Sequence, residues 1–213
     1  MAFSFEKFEK APVVGILRGY TIEDTLAIAG AYHDAGFSTL EITMNSEGAG
    51  KSITEVVKRF GERLNVGAGT VTTMERLRIA LEAGAEFIVT PTVDDDIIAY
   101  CVDNQVPVFP GAFTPTEINH AWQMGATMVK VFPSDILGPA YIKAVLGPLD
   151  NVKLLPTGGV DPGNMSDYWK AGARGFGMGG CLFDKELINR KNWDMLQQNL
   201  REIKKMLDRI TDF

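Results

Sequence analysis

The segment TMVKVFPSD, residues 127–135, sets one lysine, Lys130, among Met128, Val129, Val131 and Phe132. β-Branched and aromatic residues ending at a Pro-Ser-Asp turn read as a short, fully buried strand. Lysine is almost never fully buried unless it is paired. The run therefore asks which architecture buries such a strand, and what use it has for an interior ammonium group.

Working outward, short apolar runs of this kind occur at 12–17, 39–43, 64–69, 87–90, 106–110, 128–132, 152–156 and 175–179. Helical patterns lie between them at 21–36, 50–61, 73–84, 94–105, 114–125 and 139–147, with a last one at about 192–210. Thr21 with Asp24, and Thr114 with Glu117, have capping-box spacing. Strands alternating with helices predict an α/β fold, a (β/α)8 TIM barrel. It is expected as a single domain over residues 1–213 with an additional terminal helix. A Rossmann-like open sheet is the other arrangement of such elements. No G-x-G-x-x-G follows the first strand, which weighs against it.

A length of 213 residues suits one barrel of roughly 200–250 residues. The net charge of -6 argues against nucleic acid or an anionic membrane as partner, yet leaves room for an anionic small substrate. Cys101 and Cys181 are the two cysteines, so no disulfide framework is implied and a reducing cytoplasm fits. The N-terminal run MAFSFEKFEK is not a signal peptide. No apolar run approaches the ~18 residues that span a bilayer. A cytoplasmic protein is expected.

In such a barrel, chemistry gathers at the C-terminal ends of the strands. Those ends carry Arg18, Glu41 with Asn45, Gly69-Thr70, Thr90-Pro91, Pro110-Gly111, Lys130 with Phe132, Thr157-Gly158-Gly159 and Gly179-Gly180-Cys181. A cation, a carboxylate, a buried lysine and two Gly-Gly turns on one rim predict a site. Glu41, between Leu40 and Ile42, fits either an ion-pair partner for Lys130 or Arg18, or a catalytic group. A buried ion pair is weak evidence of stabilisation, and the position on the rim favours chemistry. The Gly-Gly turns fit tight loops, but two on adjacent strands favour a phosphate cradle of backbone N–H groups. His33, His120 and Asp94-Asp95-Asp96 lie in helical patterns and are assigned no chemistry. No spacing such as H-E-x-x-H or C-x-x-C is present, so no metal and no cofactor are expected.

Taken together, KVFPSD (130–135), LEITMNS (40–46), VGAGT (66–70), FIVTP (87–91), FPGAFTPTE (109–117), PTGGV (156–160) and MGGCLF (178–183) resemble the 2-keto-3-deoxy-6-phosphogluconate aldolase family. That family includes 4-hydroxy-2-oxoglutarate and 2-keto-3-deoxy-6-phosphogalactonate aldolases, and the likeness runs in order from about residue 12 to 183. It implies a metal-independent class I aldolase that cleaves 2-keto-3-deoxy-6-phosphogluconate to pyruvate and glyceraldehyde 3-phosphate, as in the Entner-Doudoroff pathway. It extends to cleavage of 4-hydroxy-2-oxoglutarate to pyruvate and glyoxylate. By resemblance Lys130 forms the Schiff base and Glu41 is the acid/base. Thr70 holds the pyruvate carboxylate, and Pro91 and Phe132 wall the pocket. Gly158, Gly159, Gly179, Gly180 and Cys181 surround the phosphate, with Arg18 as the rim cation. Burial by Val129, Val131 and Phe132 is expected to lower the Lys130 pKa so that a neutral amine can attack. Asn45 stands where gluconate-type members carry the arginine that holds the carboxylate, and Cys181 where serine is usual. EITMNS leans to the galactonate type and PTGGV to the gluconate type, so either epimer fits as main substrate. A homotrimer is also implied.

Two rivals fit the same rim. A barrel phosphosugar isomerase or epimerase would use Glu41 as base with Lys130 as an electrostatic partner. A non-catalytic sugar-phosphate binding module would keep the pocket alone.

Overall fold

The computed structural model describes residues 2–211. The strands are β1 (Val13–Leu17), β2 (Thr39–Thr43), β3 (Asn65–Gly69), β4 (Ile88–Val89), β5 (Val108–Phe109), β6 (Gly111–Ala112), β7 (Val129–Val131), β8 (Leu154–Pro156) and β9 (Phe176–Met178). All their pairings are parallel. β5 and β6 are two halves of one strand interrupted at Pro110; the first half pairs with β4 and the second with β7. Proline has no N–H to give to a ladder. Its carbonyl still accepts the Lys130 N–H at 2.9 Å, so the strand continues past the residue where the sequence pattern ended it. β9 pairs with β1, and a parallel bridge from Thr157 to Gly177 joins the end of β8 to β9. The circle closes, and the fold is a (β/α)8 barrel rather than an open sheet.

The helices are α1 (Phe5–Lys10), α2 (Ile22–Asp34), α3 (Ala49–Phe60), α4 (Met74–Glu82), α5 (Asp95–Asp103), α6 (Pro115–Gln123), α7 (Gly138–Leu146), α8 (Met165–Lys170), α9 (Lys185–Asn189) and the terminal α10 (Trp193–Thr211). The sequence pattern misses α1, α8 and α9. These have 6, 6 and 5 residues, too few for an apolar stripe to repeat. Thr114 and Glu117 form a complete capping box on α6. At α2 the Thr21 hydroxyl accepts from the Asp24 N–H but donates to the Asp24 carboxylate, which leaves the reciprocal half of the box unmade.

Alternation along each strand divides the interior in two. Leu40, Ile42, Val66, Ala68, Val129, Val131, Leu154 and Phe176 belong to the large cluster between barrel and helices. Inside the barrel a smaller cluster joins Val14, Phe87, Val89, Phe109, Met128 and Leu155 to Phe3 and to Phe8 of α1. The Phe3 and Phe109 rings lie 5.4 and 5.5 Å from Phe87, distances at which edge-on and tilted contacts add to burial. These side chains plug the N-terminal end of the barrel, so the opposite end is the one left open. Among the described residues, no helix is long and apolar enough to cross a membrane.

Candidate active site

The open end holds a cavity of about 580 Å³. It is lined by Arg18, Glu41, Asn45, Thr70, Pro91, Lys130, Phe132, Gly158, Gly159, Gly179, Gly180 and Cys181. Every residue given a role by the resemblance is therefore on one wall or another of the same space, whereas Gly69, Thr90, Pro110 and Gly111, read at the same strand ends, do not line it. Thr157, read at its strand end without a role, also lines it, as do Ile16, Val160, Asp161 and Gly177, which were not singled out. Val160 and Asp161 had a signal: one closes the PTGGV motif and the other directly follows it.

Period-two alternation explains why Lys130 is there. Met128 belongs to the inner plug and Lys130 and Phe132 to the cavity wall, so these three climb the inside of the barrel. Val129 and Val131 point the other way, into the helix layer. The expectation that these two valines desolvate the amine is thus corrected. The lysine is buried by the barrel interior, between Gly111 of β6 and Leu155 of β8, and is 6% exposed. Its Nζ lies 4.8 Å from the centre of the Phe132 ring.

Glu41 is 2% exposed and is flanked by Ile16 of β1 and Gly67 of β3. The carboxylate fills the volume that a Cβ at residue 69 would occupy, so Gly69 is required there for space. Burial pushes the Glu41 carboxyl above its ordinary range, against the pull of Lys130 and Arg18. The same burial pushes Lys130 down, opposed by Glu41 and helped by Arg18. Burial is the largest influence on both. Among the described residues, no hydrogen bond and no ion pair within 4.0 Å joins the two groups. The ion-pair reading of Glu41 is accordingly not the arrangement found. An acid and an amine share the cavity without cancelling each other by contact.

The two ends of the cavity differ. At one end Thr70 adopts a φ of 54°, a left-handed conformation that is a genuine outlier for a β-branched residue. Such strain concentrates at functional sites. The Thr70 carbonyl accepts from Arg76 Nη1 and its hydroxyl from Arg18 Nη2, each at 3.5 Å. The Arg18 guanidinium therefore reaches Thr70 across the cavity that it shares with the glycine turns. At the other end Gly158 and Gly159 have φ of 90° and 71°. Among the described residues, the N–H groups of Gly158, Gly159 and Gly180 donate to no protein acceptor. A Cβ on Gly180 would meet nothing within 4 Å. The Cys181 thiol donates to the Val160 carbonyl at 3.3 Å, and burial holds it above its usual range. Its proton is committed to the protein. No cluster of three or more His, Cys, Asp and Glu side chains suited to a metal ion occurs among the described residues.

The sequence model for "Aldolase: KDPG and KHG aldolase" matches residues 5–199. The chain belongs to the KDPG and KHG aldolase family. It is 38% identical over 175 residues to a 2-dehydro-3-deoxy-6-phosphogalactonate aldolase of Escherichia coli, covering 82% of this chain and 85% of that one. It is 34% identical over 200 residues to a 2-dehydro-3-deoxy-phosphogluconate aldolase of Haemophilus influenzae, covering 93% of each. A solved structure described as native KDPGal superposes with a TM-score of 0.89 at 33% identity, over 100% of both chains. The KDPG aldolase of Legionella pneumophila, with pyruvate captured as a covalent carbinolamine, superposes with a TM-score of 0.85 at 27% identity, over 92% and 96% of the two chains. Membership in this aldolase family makes the chain a carbon-carbon lyase of the Schiff-base type, and it removes the isomerase and binding-module readings.

Proposed function

We propose that the chain cleaves 2-keto-3-deoxy-6-phosphogluconate to pyruvate and glyceraldehyde 3-phosphate, and 4-hydroxy-2-oxoglutarate to pyruvate and glyoxylate. The observation that carries this is the buried, unpaired Lys130 beside a buried Glu41 in one cavity. The neutral Lys130 amine adds to the C2 ketone, and the carbinolamine loses water to give an iminium ion. Glu41, directly or through water, removes the proton of the C4 hydroxyl. The C3–C4 bonding pair moves into the iminium ion, which releases the aldehyde and leaves an enamine. Protonation at C3 and addition of water return pyruvate and the free lysine. Thr70, Arg18 and Asn45 hold the pyruvate carboxylate, Pro91 and Phe132 wall the chain, and the N–H groups at 158–159 and 179–181 receive the phosphate.

The 6-phosphogalactonate epimer is the second reading, favoured by Asn45 in place of an arginine. Retro-aldol assays on both epimeric phosphorylated keto acids and on 4-hydroxy-2-oxoglutarate decide among them. Borohydride in the presence of pyruvate tests the chemistry itself, because only an imine is reduced onto the protein. An adduct that maps to Lys143, or none at all, contradicts the mechanism. The resemblance also supports a homotrimer, to be read by sedimentation, and the free thiols of Cys101 and Cys181 support a cytoplasmic location.

Turnover is expected to survive exhaustive treatment with chelators, since the iminium ion is the electron sink. Activity lost in chelator and restored by a divalent cation would move the chain to metal-dependent chemistry. Gly180→Val is expected to raise KM for the phosphorylated substrate at least about tenfold, the cost of one or two hydrogen bonds to a charged group. KM for 4-hydroxy-2-oxoglutarate, which has no phosphate to place, changes far less. Position 180 is the cleaner probe than 158, where a φ of 90° would strain any side chain. Equal damage to both substrates would remove the support for a phosphate at these turns.

A further inference from the structure

The distal end of the cavity lacks the charge that an anion cradle ordinarily recruits. Of the described residues lining the cavity, the cations are Arg18 and Lys130. Arg18 is engaged with Thr70, and Lys130 is the buried amine. At the glycine turns the charged wall residue is instead a carboxylate, Asp161. A second carboxylate residue, Asp135, packs its Cβ into the space beside Gly159. The Asp161 charge is felt inside the site, since it adds to burial in holding the neighbouring Cys181 thiol up.

Asp161 also has an ordinary structural task. Its Oδ1 accepts the N–H groups of Gly163 and Asn164 at 2.7 and 3.1 Å, while Asn164 returns contacts to the Asp161 N–H and to the Gly159 carbonyl. That pattern fixes the loop between the glycine turn and α8. It needs one side-chain acceptor and does not need a negative charge: asparagine or serine supplies the same oxygen. The charge is therefore surplus to the loop and sits on the wall of the anion site.

We propose that Asp161 is a specificity-determining residue that weakens the hold of the distal site on a phosphate dianion, so that this chain distinguishes phosphorylated from unphosphorylated keto acids less than its glycine cradle alone would. The proposal rests on the aldolase reading of the cavity. Like charges at a partly exposed site repel, and the repulsion falls with salt. A phosphate ester is dianionic well above its second pKa of about 6. The backbone donors at 158, 159 and 180 then work against the Asp161 carboxylate, whereas a terminal hydroxyl meets no such opposition.

The test compares wild type, Asp161→Asn and Asp161→Ser at about pH 8 and low ionic strength. Both replacements keep the acceptor that holds the loop. The substrates are 2-keto-3-deoxy-6-phosphogluconate and its unphosphorylated counterpart, 2-keto-3-deoxygluconate. The ratio of their kcat/KM values is expected to rise about three- to tenfold in favour of the phosphorylated compound, the scale of one partly screened charge contact. The gain shrinks as salt is added. An unchanged or lowered ratio in both variants overturns the proposal. Titration with inorganic phosphate reads the same charge without turnover: tighter binding in the variants supports the proposal, and equal binding overturns it. Failure of the aldolase reading shows up separately, as failure of borohydride to capture pyruvate on wild-type Lys130.

Discussion

Lys130→Met is expected to lose kcat by roughly 10⁵–10⁶, the scale found when a covalent nucleophile is removed, and to unfold at a higher temperature than the parent. Both effects follow from the same burial. The amine is useful because the barrel interior disfavours its charged form, and that disfavour is a cost the folded state carries. The sign is set by proton binding. A lysine with a lowered pKa in the folded state is charged more readily in the unfolded chain. Stability therefore rises with pH from the lowered value up to the ordinary value near 10.5, and is depressed below that window. Methionine fills a similar volume and has no charge to desolvate, so thermal unfolding of the variant loses this dependence on pH. Borohydride trapping with pyruvate serves as the control and should add no mass. A variant that still captures pyruvate, or keeps more than a few per cent of activity, would mean another amine forms the imine.

Glu41→Gln is expected to slow turnover by roughly 10²–10⁴, the usual weight of positioned acid–base catalysis, while pyruvate is still captured on Lys130. Glutamine preserves the shape that Gly69 accommodates, so the cavity is not refilled. Burial raises the Glu41 carboxyl, and the acid limb of the wild-type kcat profile is accordingly expected above the ordinary glutamate range of about 4.5. In the glutamine variant that limb disappears, because no group at this position exchanges a proton. Single-turnover measurement of imine formation separates this from a positional effect on Lys130. Full activity in the variant would leave Glu41 as a structural carboxylate. A profile with its acid limb unmoved would assign that limb to another group.

The residues that meet in the cavity were legible because barrel chemistry has a fixed address, the ends of the strands. Reading along the chain for those ends is enough to find Arg18, Glu41, Thr70, Lys130 and the glycine turns without knowing any distance. The reading failed where a local pattern was too short or too ambiguous. α8 and α9 complete fewer than two turns, so no stripe marks them. Pro110 looks like a strand end, yet its carbonyl keeps the ladder going and β6 follows. Val129 and Val131 flank Lys130 in sequence, but a strand sends neighbours to opposite faces. The groups that desolvate a strand residue come from the strands beside it.

By itself, then, the sequence determined the alternation of strands and helices, the sites of the caps, and which residue types crowd the rim. These are local or periodic properties, carried by neighbours a few positions apart. Tertiary structure alone decided that Glu41 and Lys130 share a cavity without pairing, that Arg18 reaches Thr70, and that Asp161 lines the cavity at the glycine turns. Each depends on groups from different strands brought together by closure of the barrel. The reach of a side chain across that space is set by the register of the strands and the volume left by Gly69 and Gly177, which no spacing along the chain encodes.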